Sequence, residues 1–329
     1  MKNSTVVIDK LADNNESRRV QLAEATKFIG LDKDILSARA IFIKPNLTYP
    51  FYKRGVTTRV SFIREIVLAL ENINPNIKIY IGEGDGGCNS FNMDDVFRNM
   101  GFLDLEKDIS SVEIINLSKI SKEKVVIDTL KGPYELHLPK IFFNEIDFSI
   151  SCPLPKIHGM TRITLSYKNQ WGCLPDIMRL KHHYMFDYLI SRIADILKFK
   201  YAILEGKYGL NNNGPLSGDA VEINWFVAAN SLGAFDLIVS EMMGFDYKEI
   251  DHLIIAEKYG YLPKRDHVRL IGDIESLKFK FSLHRSFWQY PALVAFKSKN
   301  LTHFFYLSRY AKLMHDIMYL FRKGHHIEY

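Results

Sequence analysis

The sequence predicts an α/β protein with a mostly parallel sheet and helices on both faces. Short β-branched runs alternate along the chain with segments of helical periodicity, which is the pattern of parallel βαβ units. The chain has 329 residues, of which 47% are hydrophobic and 25% charged, as in folded globular proteins with one large core or two lobes. Disordered, collagenous and coiled-coil classes are thereby excluded.

The predicted elements follow from local pattern and turn residues. Runs of β-branched and other apolar residues predict strands at 5–8, 40–43, 77–81, 112–115, 147–151, 201–204 and 268–271. Apolar residues three and four positions apart predict helices at 16–28, 58–72, 93–100, 184–198, 235–243 and 247–259. Residues 124–138 have Lys131, Gly132 and Pro133 at their middle, which predicts an inserted β-hairpin.

Residues 1–275 are expected to form the α/β domain, with a division near 150–180 if it has two lobes. Residues 276–329 form a basic, aromatic tail whose apolar residues recur at helical spacing. Seven basic and two acidic residues from Arg285 onward account for the whole formal net charge of +5. Two alternatives stay open for this helix. It lies on an anionic membrane surface at the inner membrane face, or it docks on the core or on another subunit of a homo-oligomer.

Cysteine usage and hydropathy indicate the compartment. Cys88, Cys152 and Cys173 are scattered without a CxxC pair, so this chain alone cannot build a disulfide framework or a four-thiolate metal site. We therefore expect a reducing, cytoplasmic setting. The N-terminal residues lack an apolar stretch of signal-peptide length. The longest uncharged runs, 223–235 and 286–296, are shorter than the roughly 18–20 residues that cross a bilayer.

Unusual loops follow four of the predicted strands. They contain Lys44–Asn46, the glycine-rich residues 82–87, residues 152–158 and Glu205–Gly206. Because ligands of open α/β sheets bind beyond the carboxyl ends of the strands, we expect these loops to form the functional site.

Lys44 and Glu83 are the first two candidates for chemistry. Lys44 precedes a proline that forces an extended turn, and its ammonium suits an anion; the alternative is a solvated lysine. The turn around Glu83 matches neither phosphate-binding glycine motif, so we interpret Glu83 as a functional acid, with a structural turn as the alternative.

Residues 151–176 concentrate polar and basic side chains in a proline-fixed loop. His158 is a candidate general acid or base, because an ordinary histidine pKa lies near neutral pH. Lys156 and Lys168 are candidates for a base or an electrophile if burial lowers their pKa values. Cations cannot be buried together without a negative partner, so an anionic substrate is expected. Ordinary surface lysines are the alternative. Of the pair His182-His183, one side chain is expected to face the site; solvated histidines are again the alternative.

Residues 204–219 are predicted to form a long glycine- and asparagine-rich loop of the kind found in lids and binding loops. The carboxylates of Glu83, Glu205 and Asp236 are the ligands of a divalent cation such as Mg²⁺, if one is bound.

The same segments resemble the uncharacterised family called domain of unknown function 362. The resemblance spans about residues 38–260 and is carried by IFIKPNL at 41–47, GVTTR at 55–59, IGEGDGG at 81–87, PLPKIHGMTRITLSYKNQWG at 153–172 and, between 204 and 219, LEG and NGPLSGD. Many members carry a ferredoxin-type four-cysteine segment that this chain lacks. The resemblance therefore implies no iron–sulfur cluster on this chain and a separate redox partner for any electron transfer. Glu205 stands where the family more often has Asp.

Together these observations predict a cytoplasmic enzyme acting on an anionic small molecule or lipid-linked intermediate. Its reaction is proton transfer beside a carbonyl or carboxylate, or reduction by a separate electron donor. The predicted catalytic residues are Lys44, Glu83, Lys156, His158 and Lys168. The predicted substrate-binding residues are Asn46, Thr57, Thr58, Thr161, Asn169, His182, Gly214 and Gly218.

The alternative is a non-catalytic protein that binds a membrane or an acidic partner through its tail. Nucleic acid is not an expected partner, because the charge outside the tail sums to zero and no nucleic-acid motif is present.

Overall fold

The computed structural model describes residues 4–87, 90–285 and 289–311. The strands are β1 Ser4–Lys10, β2 Ala40–Lys44, β3 Lys78–Glu83, β4 Val112–Asn116, β5 Lys122–Thr129, β6 Gly132–Pro139, β7 Phe148–Ser151, β8 Lys156–His158, β9 Arg162–Thr164, β10 Phe199–Asn211, β11 Asp219–Ala229 and β12 Val268–Ile271.

The α-helices are α1 Asn15–Phe28, α2 Leu31–Ser37, α3 Val60–Ile73, α4 Met93–Asn99, α5 Phe102–Asp108, α6 Ile141–Asn144, α7 Ser166–Asn169, α8 Phe186–Ile196, α9 Leu232–Met242, α10 Asp251–Lys258, α11 Ile274–Leu277, α12 Gln289–Lys297 and α13 Lys299–Leu307. Short 3₁₀ helices lie at Gln170–Cys173, Arg179–Met185, Tyr247–Glu249 and Arg265–His267.

The main sheet has the strand order β12-β1-β11-β10-β7-β2-β3-β4. Every neighbouring pair in this order is parallel except the two pairs made by β11. β8 branches from β10 and pairs with β9, while β5 and β6 form the separate hairpin. The predicted α/β class, mostly parallel sheet and inserted hairpin are confirmed.

Two hydrophobic cores cover the two faces of the sheet. Successive side chains of a strand point to opposite faces, so Phe42 packs in one core while Ile41 and Ile43 pack in the other. The first core contains residues of α8, α9 and α10, and the second contains residues of α1, α3, α4 and α5. Helices on both faces were predicted, and the sheet is buried between them.

The prediction of a long loop at 204–219 was wrong. β10 continues to Asn211, and β11 returns antiparallel to it, so the connection is limited to residues 212–218. The glycines were interpreted as turn residues, but Gly206 and Gly209 serve close packing: a Cβ would lie 2.9 Å from Leu204 and 2.6 Å from Phe281, respectively. A register shift between Gly206 and Tyr208 also interrupts the alternation of side chains by which a strand is recognised in a sequence.

The C-terminal tail is helical, as predicted, over α12 and α13. These helices pack against each other and against Arg179–Met185. The Phe296 ring lies 4.4 Å from the His183 ring. The opposite side exposes Leu301, Phe304 and Leu307. The predicted helix beyond residue 311 and Cys88, one of the three scattered cysteines, lie outside the described residues. Within the described part of the chain, no helix is long and apolar enough to span a membrane.

We predict that Phe42→Ala lowers the free energy of unfolding by about 3–5 kcal/mol, because it removes a fully buried aromatic side chain. The Phe42 ring packs edge-on against Phe142, with a centroid distance of 4.8 Å. Phe28→Ala is the matched control, since Phe28 is 49% exposed, and it should change this free energy by less than about 1 kcal/mol. Urea denaturation measures both. Equal losses in the two variants would contradict the assigned packing.

Candidate functional site

A buried ion pair joins the ends of β2 and β3. Lys44 Nζ lies 2.7 Å from Glu83 Oε2, and both side chains are almost completely buried. Lys44 Nζ also donates to the Pro45 carbonyl at 2.7 Å, and the Leu47 backbone N–H donates to Glu83 Oε2 at 2.7 Å. The Glu83 carboxylate is therefore anchored through one oxygen, and it fixes the turn that follows β2.

The other oxygen of Glu83 faces Gly172. A Cβ at Gly172 would lie 2.1 Å from Glu83 Oε1 and 3.1 Å from Lys44 Nζ, so glycine is required for this approach. The Gly84 backbone N–H donates to the Gly172 carbonyl at 2.9 Å and holds the two segments together. Glu83 Oε1 receives no hydrogen bond from any described residue and stays available as an acceptor.

Lys156 is buried in a polar network of protein acceptors. Its Nζ donates to Asn46 Oδ1 at 2.9 Å, Thr48 Oγ1 at 3.0 Å and the Val56 carbonyl at 2.8 Å. Burial, together with the Lys168 and Lys44 charges, lowers the pKa of Lys156 well below the ordinary lysine value, while the Glu83 charge opposes this. All three ammonium donors are used, so Lys156 positions the loop after β2 rather than contacting a substrate.

Three of the residues predicted to bind substrate, Asn46, Thr58 and Asn169, complete this network. Thr58 Oγ1 accepts from the Asn46 N–H and donates to the Cys152 carbonyl. Asn169 Nδ2 donates to the Lys44 carbonyl and to Ser151 Oγ. These bonds tie the ends of β2 and β7 to α7, and the predicted convergence of strand-end loops is present in the structure.

Four other predicted binding residues are engaged locally. Thr57 Oγ1 accepts from the Lys53 N–H, and Thr161 Oγ1 donates to the Ile163 carbonyl. Gly214 packs on β8, where a Cβ would lie 1.8 Å from the Ile157 carbonyl oxygen. A Cβ at Gly218 would lie 2.1 Å from the Asn211 carbonyl oxygen, so this position is also too close-packed for a side chain. These positions shape the backbone around His158.

Lys168 lies on α7, which is held in place by Asp236 of α9. The Asp236 carboxylate accepts from Ser166 N at 2.7 Å, Ser166 Oγ at 2.6 Å and Tyr167 N at 3.1 Å. Burial raises the pKa of Asp236 to about 7, although these hydrogen bonds act to lower it. Asp236 thus fixes the one-turn helix that presents Lys168.

The Lys168 side chain is partly exposed and lacks a hydrogen-bond or ion-pair partner among the described residues. Its ammonium lies 5.6 Å from the centroid of the Phe186 ring. Burial lowers the pKa of Lys168 to about 8; the Arg179 charge lowers it further and the Glu83 charge opposes this. Lys168 is therefore a lysine able to exchange its proton near neutral pH.

His158 is held as a neutral imidazole. Its Nδ1 accepts from the backbone N–H groups of Met160 and Thr161, at 3.1 Å and 3.4 Å, so its proton resides on Nε2. Burial lowers the pKa of His158 well below the ordinary histidine value, and the charges of Lys168 and Lys156 add to this effect. His158 can therefore donate a hydrogen bond to a ligand oxygen.

Four cationic side chains surround the Glu83 carboxylate. Lys44 contacts the carboxylate directly. The negative charge of Glu83 also acts on the pKa values of Lys156, Lys168 and Arg179. Arg179 is 8% exposed and donates to the Asp85 carbonyl at 2.6 Å, which anchors the glycine-rich turn. The site thus carries more positive than negative charge.

His183, not His182, lies beside Lys168. His182 Nδ1 is 2.8 Å from Tyr134 Oη and its Nε2 is 3.6 Å from Asp176, on the side of the β5–β6 hairpin. The His183 ring stacks on Trp171 at 5.6 Å. Neighbouring residues of a helical turn point in different directions, and the sequence does not show which of the two faces inward.

The three candidate metal ligands are engaged separately. Glu83 pairs with Lys44, Asp236 binds the start of α7, and Glu205 forms an ion pair with Arg59. In residues 4–87, 90–285 and 289–311, no three His, Cys, Asp or Glu side chains are grouped as metal ligands.

Arg179 and His252 were missed by the sequence analysis, which also left open whether His182 or His183 faces the site. Burial lowers the pKa values of His183 and His252 to about 3, and the Lys168 charge lowers them further. His252 is fully buried on α10, within an ordinary amphipathic pattern that carries no motif. Its position relative to Lys168 is a consequence of tertiary packing.

Comparison with known proteins identifies the family. The chain belongs to the family described as Domain of unknown function (DUF362), whose family model matches residues 41–241. This confirms the resemblance seen in the motifs. Thylakoid-associated protein sll1697 of Synechocystis sp. is 25% identical over 126 residues, which cover 36% of this chain and 39% of that protein. The chain therefore spans well under half the length of this relative.

Two solved structures are similar in fold. The lactate racemase apoprotein from Thermoanaerobacterium thermosaccharolyticum aligns over 73% of this chain and 57% of its own, with 12% identity and a TM-score of 0.45. A Thermotoga maritima protein aligns over 67% of this chain and 56% of its own, with 9% identity and a TM-score of 0.35. No residue role is transferred from either protein.

We predict that Glu83→Gln lowers the free energy of unfolding by about 3–5 kcal/mol, because it leaves the buried Lys44 charge without a counter-charge. The matched control is Glu113→Gln, which breaks an ion pair with Lys78 whose side chains are 44% and 41% exposed. It should change this free energy by less than about 1 kcal/mol. Urea denaturation of both variants tests the difference. If Glu83→Gln lowers the free energy of unfolding no more than Glu113→Gln does, the prediction is wrong.

The pKa of Lys168 predicts a pH-dependent stability. The folded protein releases the Lys168 proton with a pKa of about 8, and the unfolded chain with a pKa of about 10.4. Between these values the unfolded state binds more protons, so this lysine makes the free energy of unfolding rise with pH. In Lys168→Met this contribution is absent. Urea denaturation at about pH 7.5 and about pH 10 should therefore show wild type gaining stability relative to the variant; a constant difference would contradict the lowered pKa.

Proposed function

We propose that this protein is an enzyme that binds a small anionic molecule at Lys168 and moves a proton beside a carbonyl or carboxylate group. The observation that carries this proposal is the state of Lys168: its amine has a pKa of about 8 and no hydrogen-bond or ion-pair partner among the described residues, and its charge acts on the neutral imidazole of His158. The two groups have the properties of a base and of an oxygen-binding electrophile.

The excess of buried positive charge supports an anionic ligand. Lys44 and Glu83 neutralise each other, and Lys156 is satisfied by neutral oxygens. Arg179 and Lys168 have no carboxylate in direct contact among the described residues. Buried or partly buried cations favour a negative partner because the protein interior screens charge weakly.

The proposed step balances without an added oxidant or reductant. Arg179, whose charge acts on Lys168, keeps a positive charge beside the ligand anion while Lys168 is neutral. Neutral Lys168 takes a proton from the carbon beside the ligand carbonyl, and the electron pair of that C–H bond moves onto the carbonyl oxygen. His158 Nε2–H donates a hydrogen bond to this oxygen and stabilises its charge. The ammonium of Lys168 then returns a proton to the carbon. Lys156 and Asp236 position the loop and the helix turn that hold these groups.

Exchange of carbon-bound hydrogen in deuterated water tests this step directly. We expect the protein to exchange the hydrogen beside the carbonyl in members of a panel of small oxo- and hydroxycarboxylates, followed by proton NMR. Lys168→Met should slow exchange by about 100-fold or more. The rate for wild type should fall as pH drops below about 8, because protonated Lys168 cannot accept a proton.

Lys200→Met is the control, because Lys200 forms an exposed ion pair with Asp34 on the surface. It should exchange at the wild-type rate. If carboxylates bind in a Lys168-dependent manner but no member of the panel exchanges, the protein is a binding protein and the catalytic part of the proposal is wrong.

A further inference from the structure

Three ring systems beside Lys168 have buried nitrogens with no hydrogen-bond partner. These atoms are Trp171 Nε1, His183 Nδ1, and both ring nitrogens of His252. All three rings contact Phe186, with centroid distances of 4.7 Å for Trp171, 5.9 Å for His183 and 6.4 Å for His252. The Lys168 ammonium lies over the same Phe186 ring.

Such a concentration of unpaired polar atoms requires an explanation. Buried polar groups in native proteins are nearly always hydrogen-bonded, because leaving one without a partner is destabilising. The unpaired atoms here come from three different elements: the 3₁₀ helices Gln170–Cys173 and Arg179–Met185, and helix α10. The three rings share one aromatic neighbour, Phe186, and a single partner from outside the chain would satisfy their nitrogens together.

We propose that the nitrogens of Trp171, His183 and His252 bind uncharged hydroxyl groups of the anionic ligand, which makes that ligand a hydroxylated carboxylate or phosphate ester. This inference rests on the proposed function, since it concerns the same ligand, whose anionic group binds beside Lys168 and Arg179.

The charge states of the rings select this ligand chemistry. His183 and His252 have pKa values of about 3 and are neutral at physiological pH, so neither offers a positive charge to an anion. A neutral imidazole has one donor and one acceptor nitrogen, and the Trp171 indole is a donor. A hydroxyl group both donates and accepts, and therefore matches this mixed set better than a second carboxylate does.

The proposal is tested with two pairs of probes of equal charge: glycerate against butyrate, and glycerol 3-phosphate against propyl phosphate. Titration calorimetry on the full chain should show that the hydroxylated member of at least one pair binds about tenfold tighter or more. His252→Phe should remove this preference, while Lys168→Met should weaken both members of the pair. His267→Phe, on the exposed surface, is the matched control and should retain the preference.

A second measurement separates a ligand role from a structural one. Because His252 is unpaired without ligand, His252→Phe should raise the melting temperature of the ligand-free protein, by about 2 °C or more. A lower melting temperature would mean that ordered water already satisfies His252, and would overturn the inference. An unchanged hydroxyl preference in His252→Phe would overturn it too. If no probe binds, or binding is independent of Lys168, the proposed function itself fails.

Discussion

The Lys44–Glu83 ion pair joins the carboxyl ends of two parallel strands at a point where neither charge reaches water. Each partner alone would be strongly destabilising there, so both positions are constrained together. The pair also sets its surroundings: Glu83 receives the Leu47 N–H, and Gly172 has no room for a side chain. The segment that begins at Lys156 and ends at Gly172 is thereby held against the two strand ends, and it brings His158 and Lys168 with it.

Around this pair, some buried polar and charged groups have partners within the chain and others do not. Lys156 is saturated by oxygens of the chain, whereas Lys168 and the rings of Trp171, His183 and His252 have polar atoms without partners among the described residues. Unpaired groups of this kind reduce stability, and natural proteins retain them where a ligand supplies the missing contacts. Because Lys168 is desolvated and has no negative partner in contact, its pKa is low enough for proton exchange near neutral pH. The neighbouring groups that do have partners keep the fold intact.

The sequence predicts the parallel part of this fold well, because β2, β3 and β7 are short segments with apolar residues that end next to or close to a proline or glycine. It also identifies Lys44 and Glu83 at the ends of β2 and β3, and His158 and Lys168 in the segment that follows β7. It fails at β10 and β11, where glycines that pack against Leu204 and Phe281 imitate turn residues. It also fails at His252 and in choosing between His182 and His183, because only tertiary packing decides which rings face Lys168. For Lys156 the sequence predicts the position near the site. It does not predict that the ammonium uses all its hydrogen bonds on Asn46, Thr48 and Val56.

Lys168 lacks a negative partner among the described residues, and in our proposal a ligand supplies it. A crystal of the protein soaked in selenate, with data collected at the selenium absorption edge, tests this. We expect an anomalous peak within hydrogen-bonding distance of Lys168 Nζ, absent from crystals of Lys168→Met. Ordered selenate at other basic side chains, with none at Lys168, would contradict it.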